Sequence, residues 1–266
     1  MRHPEFTYGA VSIFLTALLL AGGCAEPPMR GGEVGALSKF ELLEAMQRRA
    51  DTISTIKTTE VATTVYVPEA MPWAETLEGK LGFRQPASLR FKFSHPVADV
   101  SCDLGRNDTM WWLHLVLPEE VTYREGRIGQ PPPPGEAFPI HPEDIAFALG
   151  VSAFDLGRVT VEKKPGYYIL SEVGVDPRGG VAILRRSWVE VDTLRVVRFE
   201  SFDADGVVRL VARQREFVDL GGDPEVAMPT RIDFDWIDRG TLSLKLRYLK
   251  VGYPMPDRMF EAPEVD

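Results

Sequence analysis

The sequence contains few of the residues that form disulfides or catalytic centres. It has two cysteines and four histidines in 266 residues. Three of the histidines, His95, His114 and His141, are far apart and lack the spacing of metal ligands. The chain also lacks a Gly-x-Ser-x-Gly nucleophile elbow and a phosphate-binding glycine loop. We therefore expect no catalytic residue, no metal site and no cofactor, and we expect that the protein is not an enzyme.

The charge balance excludes a further class of function. Asp and Glu total 39 and Lys and Arg total 30, which gives a net charge of −9. Such an acidic chain lacks the basic face that duplex nucleic acid requires, and it is poorly suited to broad adhesion to anionic membranes. Hydrophobic residues make up 44% of the chain, enough for a large core. Cys102 is predicted to be a small buried residue of that core.

The first 24 residues have the layout of an export signal. The apolar run at 8–20 is shorter than the ~20 residues needed to cross a bilayer. The small residues 21–23 precede Cys24, as a cleavage site requires. This pattern resembles the lipobox of bacterial lipoproteins. It implies that residues 1–23 are a signal peptide and that Cys24 carries diacylglycerol and an acyl chain such as palmitate.

Two other interpretations of this N-terminus stay open: an uncleaved anchor, and an ordinary signal followed by a chance cysteine. If Cys24 is lipidated, two or more acyl chains hold the protein on the membrane, and no disulfide forms within the chain. Ala25 follows the cysteine, which resembles the sorting pattern for the outer membrane in enteric bacteria. We expect a lipid-anchored protein of the bacterial envelope that faces the periplasm.

The rest of the chain is predicted to be one domain on a tether. Residues 24–37 are rich in proline and glycine and form the flexible tether. Ser38 and Glu41 form a capping-box pattern, and an apolar stripe follows it, so we predict a helix over 38–57. The domain is expected to span 38–266.

After this helix the apolar residues recur at every second position, which is typical of antiparallel strands with one buried face. Turn motifs separate about ten predicted strands, the last of which includes Tyr248. The segment Asp203-Ala-Asp-Gly206 is interpreted as a hairpin turn and not as a calcium loop. A proline-rich insertion near 127–140 interrupts the pattern, and a short helix is predicted over 141–149.

Two helices cannot cover a flat sheet of about ten one-sided strands. We therefore predict an α+β fold with a strongly curved antiparallel sheet, a half-open β-barrel, covered by the N-terminal helix and a short lid helix. A sandwich is the alternative. A curled sheet closed by helices tends to leave an apolar cavity.

Several short motifs resemble the LolA/LolB-like family of periplasmic lipoprotein carriers and outer-membrane acceptors. They include Pro86-x-x-x-Arg90-Phe91, which is similar to a Pro-x-x-x-Arg-aromatic signature. The other matching stretches lie at 52–67, 77–83, 111–113, 228–232 and 254–263. The resemblance covers most of 38–264. It implies a hydrophobic cavity between a curved sheet and lid helices, binding of lipid or of lipoprotein acyl chains, and a lipidated member closer to the acceptor than to the soluble carrier.

The resemblance also suggests individual residues. It implies that Arg90 contacts backbone carbonyls of the lid, and the alternative is a solvated arginine on an alternating strand. The candidates for a ligand cavity are the apolar residues of the strands, which could equally pack a solid core: Leu81, Phe83, Leu89, Phe91, Phe93, Trp112, Phe199, Phe234 and Trp236.

Two functions therefore remain. The first is local handling of lipid or lipoprotein at the outer membrane through acyl chains bound in a cavity. The second is a non-enzymatic sensor or interaction lipoprotein of the same fold with a filled core. Either could involve an envelope protein partner, which the sequence does not identify.

Overall fold

The computed structural model describes residues 37–67, 71–128, 140–152, 154–175, 179–221 and 226–264. The predicted signal peptide, Cys24, the tether up to residue 36 and the tetraproline segment lie outside the described residues. Within the described part, no helix is both long and apolar enough to cross a membrane.

Helix α1 spans Lys39–Thr52 and begins with the predicted capping box. The Ser38 hydroxyl accepts a hydrogen bond from the Glu41 N–H at 3.3 Å, and the Glu41 carboxylate accepts one from the Ser38 N–H at 2.8 Å. The helix ends at Thr52, so its predicted extension to residue 57 is wrong. The sequence that follows is rich in β-branched residues, which favour strands. Ile56 accordingly pairs with Phe83 in the sheet.

Helix α2 spans Pro142–Leu149, as the sequence predicted. His141 is the N-cap, with its ring nitrogen accepting a hydrogen bond from the Glu143 N–H at 3.4 Å. Gly150 ends the helix in the left-handed conformation, with φ of 74°, which costs glycine little.

In the part of the chain that the structure describes, fourteen strands form one antiparallel sheet. Their bounds are β1 Thr55–Val67, β2 Met71–Arg84, β3 Ser88–Ser94, β4 Ser101–Arg106, β5 Met110–Leu117, β6 Glu120–Arg127, β7 Val159–Lys164, β8 Tyr167–Val175, β9 Val181–Glu190, β10 Val196–Phe202, β11 Val208–Asp219, β12 Ala227–Trp236, β13 Gly240–Arg247 and β14 Lys250–Val251. The strand order is β6-β5-β4-β3-β2-β1-β13-β12-β11-β10-β9-β8-β7, and β14 pairs with β1.

The predicted number of about ten strands is too low. Periodicity undercounts strands such as the largely exposed β6 and the two-residue β14, because their apolar residues do not alternate clearly. Tyr248 is not part of the last long strand, because its φ is 52° and its side chain is 70% exposed. The segment 203–206 forms the predicted hairpin turn, in which the Asp203 carboxylate accepts hydrogen bonds from the N–H groups of Asp205 and Val207.

The sheet curls around α2. This helix contacts β3 and β4 from one half of the strand order and β10, β11 and β12 from the other half. A flat sheet would hold these strands too far apart for one short helix to touch both groups. The curved antiparallel sheet with two helices is therefore confirmed, and the sandwich alternative is excluded because all described strands belong to one sheet.

We call the helix-covered face of the sheet the inner face and the opposite face the outer face. Helix α1 packs on the inner face through Leu42, Leu43 and Met46, against residues of β8, β9 and β10. Helix α2 fills the centre of the inner face. The C-terminal segment, residues 252–264, contains a 3₁₀ helix at Asp257–Phe260 and lies against the outer face of β2 and β3.

Candidate functional site

Eight of the nine predicted cavity residues meet on the inner face. Each is at most 4% exposed, and all belong to one apolar cluster. They are Leu81, Phe83, Leu89, Phe91, Phe93, Phe199, Phe234 and Trp236. The cluster joins both halves of the curled sheet, so the inner face is one continuous apolar surface.

The ninth residue, Trp112, points to the outer face instead. Its ring covers Gly105, where a Cβ atom would lie 2.2 Å from Trp112 Cζ2. Its indole Nε1 donates to Asp103 Oδ1 at 3.3 Å. The neighbouring Trp111 is the one that joins the inner cluster. Adjacent residues of a strand face opposite sides, so a Trp-Trp pair places one ring on each face, and periodicity alone did not decide which.

Helix α2 occupies the centre of the curled sheet. Ile145 and Leu149 are fully buried in the inner cluster. The Phe147 ring stacks on Phe199 with centroids 5.6 Å apart and planes 11° apart, and it meets the Phe154 ring edge-on at 6.0 Å. The protein itself therefore covers the predicted cavity residues when α2 is in this position.

Charged groups hold the N-terminus of α2 to both halves of the sheet. Glu143 Oε1 pairs with Arg106 Nη1 of β4 at 2.7 Å. The other oxygen of Glu143 pairs with Arg185 of β9, and Arg185 Nη1 lies 3.6 Å from Glu172 Oε2 of β8. These four residues form a line of alternating charge, which we call the ion chain. It ties strands that are distant in the sheet order to one carboxylate of α2.

Further contacts fix α2 beside the ion chain. Asp144 Oδ2 accepts from Arg209 Nη2 at 2.8 Å, and the Ala148 carbonyl accepts from Gln214 Nε2 at 3.0 Å. The register between β10 and β11 shifts at Arg209. Such a bulge changes the direction of a side chain, and here it lets Arg209 reach the inner face.

A pocket of about 210 Å³ opens beside the ion chain. All four members of the chain line it, together with Pro86, Ala87, Ala146, Phe147, Ser152 and Asp155. Among the described residues, two buried polar atoms in this lining have no hydrogen-bond partner: Arg106 Nε and Glu172 Oε2. Because Ala146 and Phe147 belong to α2, the helix separates this polar pocket from the apolar inner face.

Burial controls the electrostatics of the pocket. It raises the pKa of Glu172, an effect that the nearby Arg185 only partly opposes. It also lowers the pKa of Arg106 and of His141. Each shift disfavours the charged form, so the charges here depend on their partners.

A second concavity of about 400 Å³ lies at the hairpin ends of β8–β9 and β10–β11. Its lining includes Ile183, Arg186, Phe202 and Asp205. It contains none of the predicted cavity residues. Among the described residues, no group of three or more His, Cys, Asp or Glu side chains could hold a metal ion. Cys102 is free and buried, and burial raises the pKa of its thiol well above the ordinary value.

Arg90 lies on the outer face and is largely buried there. Its Nε and Nη2 donate to the two carboxylate oxygens of Asp103 at 2.9 and 2.6 Å, and its Nη1 donates to the Met259 carbonyl at 3.2 Å. Arg90 thus contacts a backbone carbonyl of a segment that covers the sheet, but that segment is the C-terminal one and not α2.

Comparison with solved structures supplies the fold. The chain superposes with a TM-score of 0.54 and 16% identity on a DUF1329 family protein from Desulfovibrio piger, covering 84% of this chain and 95% of that one. An outer membrane lipoprotein-sorting protein domain from Vibrio parahaemolyticus superposes with a TM-score of 0.54 and 14% identity, covering 84% of this chain and 97% of that one. A LolA superfamily protein from Nitrosomonas europaea superposes with a TM-score of 0.55 and 16% identity, covering 83% of this chain and 97% of that one.

The chain has the LolA-like fold. The resemblance inferred from short motifs is confirmed at this level. No protein-family model and no curated protein sequence matches the chain. At 14–16% identity, the likeness establishes the LolA-like fold and leaves the function to be argued from the residues.

The ion chain was not among the predicted sites. Glu143 and Asp144 are favourable charges in the first turn of α2, and this local role does not reveal their partners. Their arginine partners lie 37 to 65 residues away along the chain. One signal was available: two acids begin a short helix whose remaining residues are entirely apolar, and such a helix needs cationic partners where it enters the core.

Proposed function

We propose that the protein binds lipid or lipoprotein acyl chains along the inner face of its LolA-like sheet, beneath α2, and handles them locally at the outer membrane. The supporting observation is the continuous apolar inner face, closed at its centre by an eight-residue helix. In this proposal the protein catalyses no reaction. Lipidated Cys24 keeps the domain within a tether's reach of the bilayer.

The energetics of apolar burial favour replacement of α2 by an acyl chain on the inner face. Apolar surface gains roughly 25 cal/mol per Å² when it leaves water. An acyl chain that replaces α2 keeps the inner face dry, and burial of its own methylenes offsets the exposure of Ile145, Phe147 and Leu149. The remaining cost of moving α2 is then that of its polar contacts. Those contacts are ion pairs and hydrogen bonds, which water or a polar ligand can replace.

A second candidate is a sensor or interaction lipoprotein with a filled interior. The observation in its favour is that the eight inner-face candidates are already buried by the protein itself. In that case α2 is a permanent part of the core, and partner proteins would contact other surfaces.

Mass spectrometry of a protein that lacks residues 1–23 and carries Cys24→Ser separates the two candidates. Acyl binding predicts co-purifying lipid, and after delipidation it predicts uptake of a fluorescent fatty acid. Glu143→Gln should accelerate that uptake by weakening the hold on α2, whereas Glu162→Gln, an exposed position on the β7 edge, should not. A delipidated protein that neither retains nor takes up any acyl ligand would contradict acyl binding. The sensor or interaction lipoprotein would then be the remaining candidate.

A further inference from the structure

The pocket beside α2 is built for a ligand that carries both charges. Its ion chain alternates Arg106, Glu143, Arg185 and Glu172, so the four charges of the chain balance. The further carboxylate of the lining, Asp155, pairs with Arg158 outside the pocket lining. The side chains of the ion chain are only 11–24% exposed, which makes each charge dependent on a nearby opposite charge.

The two lining atoms that lack a hydrogen bond have opposite hydrogen-bonding character. Arg106 Nε is a donor and Glu172 Oε2 is an acceptor, and both are buried without a hydrogen bond among the described residues. Buried polar groups of this kind are normally satisfied by a bound group or by water. The pocket therefore offers one site for an acceptor, such as a phosphate oxygen, and one for a donor, such as an ammonium N–H.

Single-charge ligands fit this arrangement poorly. An anion at the two arginines would leave Glu172 with its 3.6 Å pair to Arg185, and Glu172 Oε2 would still lack a hydrogen bond. A cation at Glu172 would leave Arg106 Nε without an acceptor. A phosphocholine group carries both charges, yet its quaternary nitrogen has no N–H to donate to Glu172. A phosphoethanolamine group has phosphate oxygens and three ammonium N–H donors.

The pocket is also connected to the apolar interior through α2. Ala146 and Phe147 line the pocket, and Phe147 stacks on Phe199 of the inner cluster. An amphiphile that places its head in the pocket can extend its chains directly into the space that α2 now fills.

We propose that this pocket binds the phosphoethanolamine head group of a phospholipid, with the phosphate at Arg106 and Arg185 and the ammonium at Glu172. This inference rests on the proposed function and specifies its ligand. The phosphate competes with Glu143 for both arginines, so entry of the head group releases the N-terminus of α2. Binding of the head group and exposure of the inner face are therefore coupled.

The test compares short-chain lipids that differ only in their head group. Residues 24–266 carrying Cys24→Ser are titrated calorimetrically with dihexanoyl phosphatidylethanolamine, phosphatidylcholine and phosphatidylglycerol, each below its micelle concentration. Hydrogen bonds to a charged partner should make the ethanolamine lipid bind about tenfold tighter than the choline lipid. Soluble glycerophosphoethanolamine is titrated in parallel to separate a free ligand from a lipid head group.

Glu172→Gln retains the size of the side chain and removes its charge. It should reduce the preference for ethanolamine over choline to less than about threefold while acyl binding persists. Glu162→Gln is the matched control at an exposed position and should keep the full preference. Near-UV circular dichroism confirms that both variants are folded, and the comparison of head groups on the unmodified site needs no variant at all.

The outcomes separate the two proposals. Equal affinity for all three lipids would overturn the head-group inference and leave acyl binding intact. Binding of none of them would overturn acyl binding and this inference with it. Tight binding of glycerophosphoethanolamine without binding of any of the three lipids would likewise overturn the phospholipid assignment, because the pocket would then recognise the group on a soluble molecule.

Discussion

Two segments cover opposite faces of the same sheet, and they are held in different ways. Helix α2 covers the inner face, and carboxylates of its first turn reach arginines from both halves of the sheet. The C-terminal segment covers the outer face, where Met259 Cε occupies the space that Gly82 leaves empty, and a main-chain carbonyl accepts from Arg90. Both segments also use the other kind of contact: Phe147 of α2 stacks on Phe199, and Asp257 of the C-terminal segment pairs with Arg84. The difference is that the charges of α2 bridge both halves of the sheet, so α2 is the cover whose position a charged ligand can compete for.

On the outer face, the strands beneath the C-terminal segment are joined by the Asp103 carboxylate, which accepts from three donors. Asp103 accepts from Arg90, from Trp112 Nε1 and from Lys92 Nζ, the last at 2.9 Å. All of these belong to adjacent strands and not to a mobile element. This cluster therefore stabilises the sheet itself, while the ion chain stabilises the position of a helix.

The largest effect is expected from Asp103→Ala. Removing the carboxylate leaves the largely buried Arg90 without a counterion, so the free energy of unfolding should fall by about 3–5 kcal/mol in urea denaturation. Asp257→Ala is the control, because this carboxylate is 89% exposed in its pair with Arg84 and should contribute less than about 1 kcal/mol. Equal losses in the two variants would show that the outer cluster is not a structural anchor.

Two glycines on the outer face allow a matched test of shape. A Cβ at Gly105 would meet the rigid Trp112 ring, so Gly105→Ala should cost about 1–3 kcal/mol of unfolding free energy. A Cβ at Gly82 would meet Met259 Cε at 2.4 Å, but that atom ends a flexible side chain, and Gly82→Ala should cost less than about 1 kcal/mol. Chemical denaturation of both variants gives the order, and the reverse order would contradict this account of the packing.

On the inner face, Glu143→Gln should act locally. The neutral amide holds Arg106 and Arg185 less strongly, so the opening free energy of α2 should fall by about 1–2 kcal/mol. Hydrogen exchange of the amides at 145–149 should accelerate about tenfold or more, with little change in the core strands. Glu44→Gln in the exposed pair with Arg48 is the control. Uniform acceleration across the sheet would indicate that α2 is not a separate unit.

The smallest expected effects are opposite pH dependences on the two faces. Burial raises the pKa of Asp103, but hydrogen bonds from Arg90 and Lys92 lower it by more, so this pKa lies below the ordinary value of 3.8. The stability that Asp103 contributes is present above pH 3.8 and is lost as the pH falls through its folded-state pKa. Burial places the pKa of Glu172 above 4.5, so its folded state gains stability as the pH falls through that raised pKa towards 4.5.

Urea denaturation over a pH series measures both slopes. The difference between the unmodified protein and Asp103→Asn should shrink below pH 3.8, and the difference from Glu172→Gln should move in favour of the unmodified protein as the pH falls towards 4.5. Slopes of the same sign would mean that the two carboxylates have similar environments.

Local patterns predicted the elements that local physics decides. The capping box of Ser38 and Glu41 fixed the start of α1, and the limits of α2 followed from its early proline and the glycine at 150. The alternation of Leu89, Phe91 and Phe93 placed them on one face of β3, and their burial agrees with this. In each case the deciding contacts are a few residues apart along the chain.

The directions and partners of several side chains could not be predicted from the sequence, because they depend on contacts between distant parts of the chain. The inner or outer direction of Trp111 and Trp112 depends on how β5 pairs with β4, and the direction of Arg209 depends on a bulge. The partner of Arg90 depends on where the chain end returns, because Met259 lies 169 residues further along. No local pattern encodes such distances.

By itself, the sequence determined the alternating strands, the two helix starts and the curvature, since one-sided strands with two helices must curl to bury their apolar face. Only the tertiary structure decided that the 14 described strands share one sheet, that α2 fills its centre, and that Glu143 bridges Arg106 and Arg185. The reason is that burial of apolar surface is non-directional and specifies what must be covered. Which segment covers it is fixed by ion pairs and hydrogen bonds, and these act only between groups that the folded chain has already brought together.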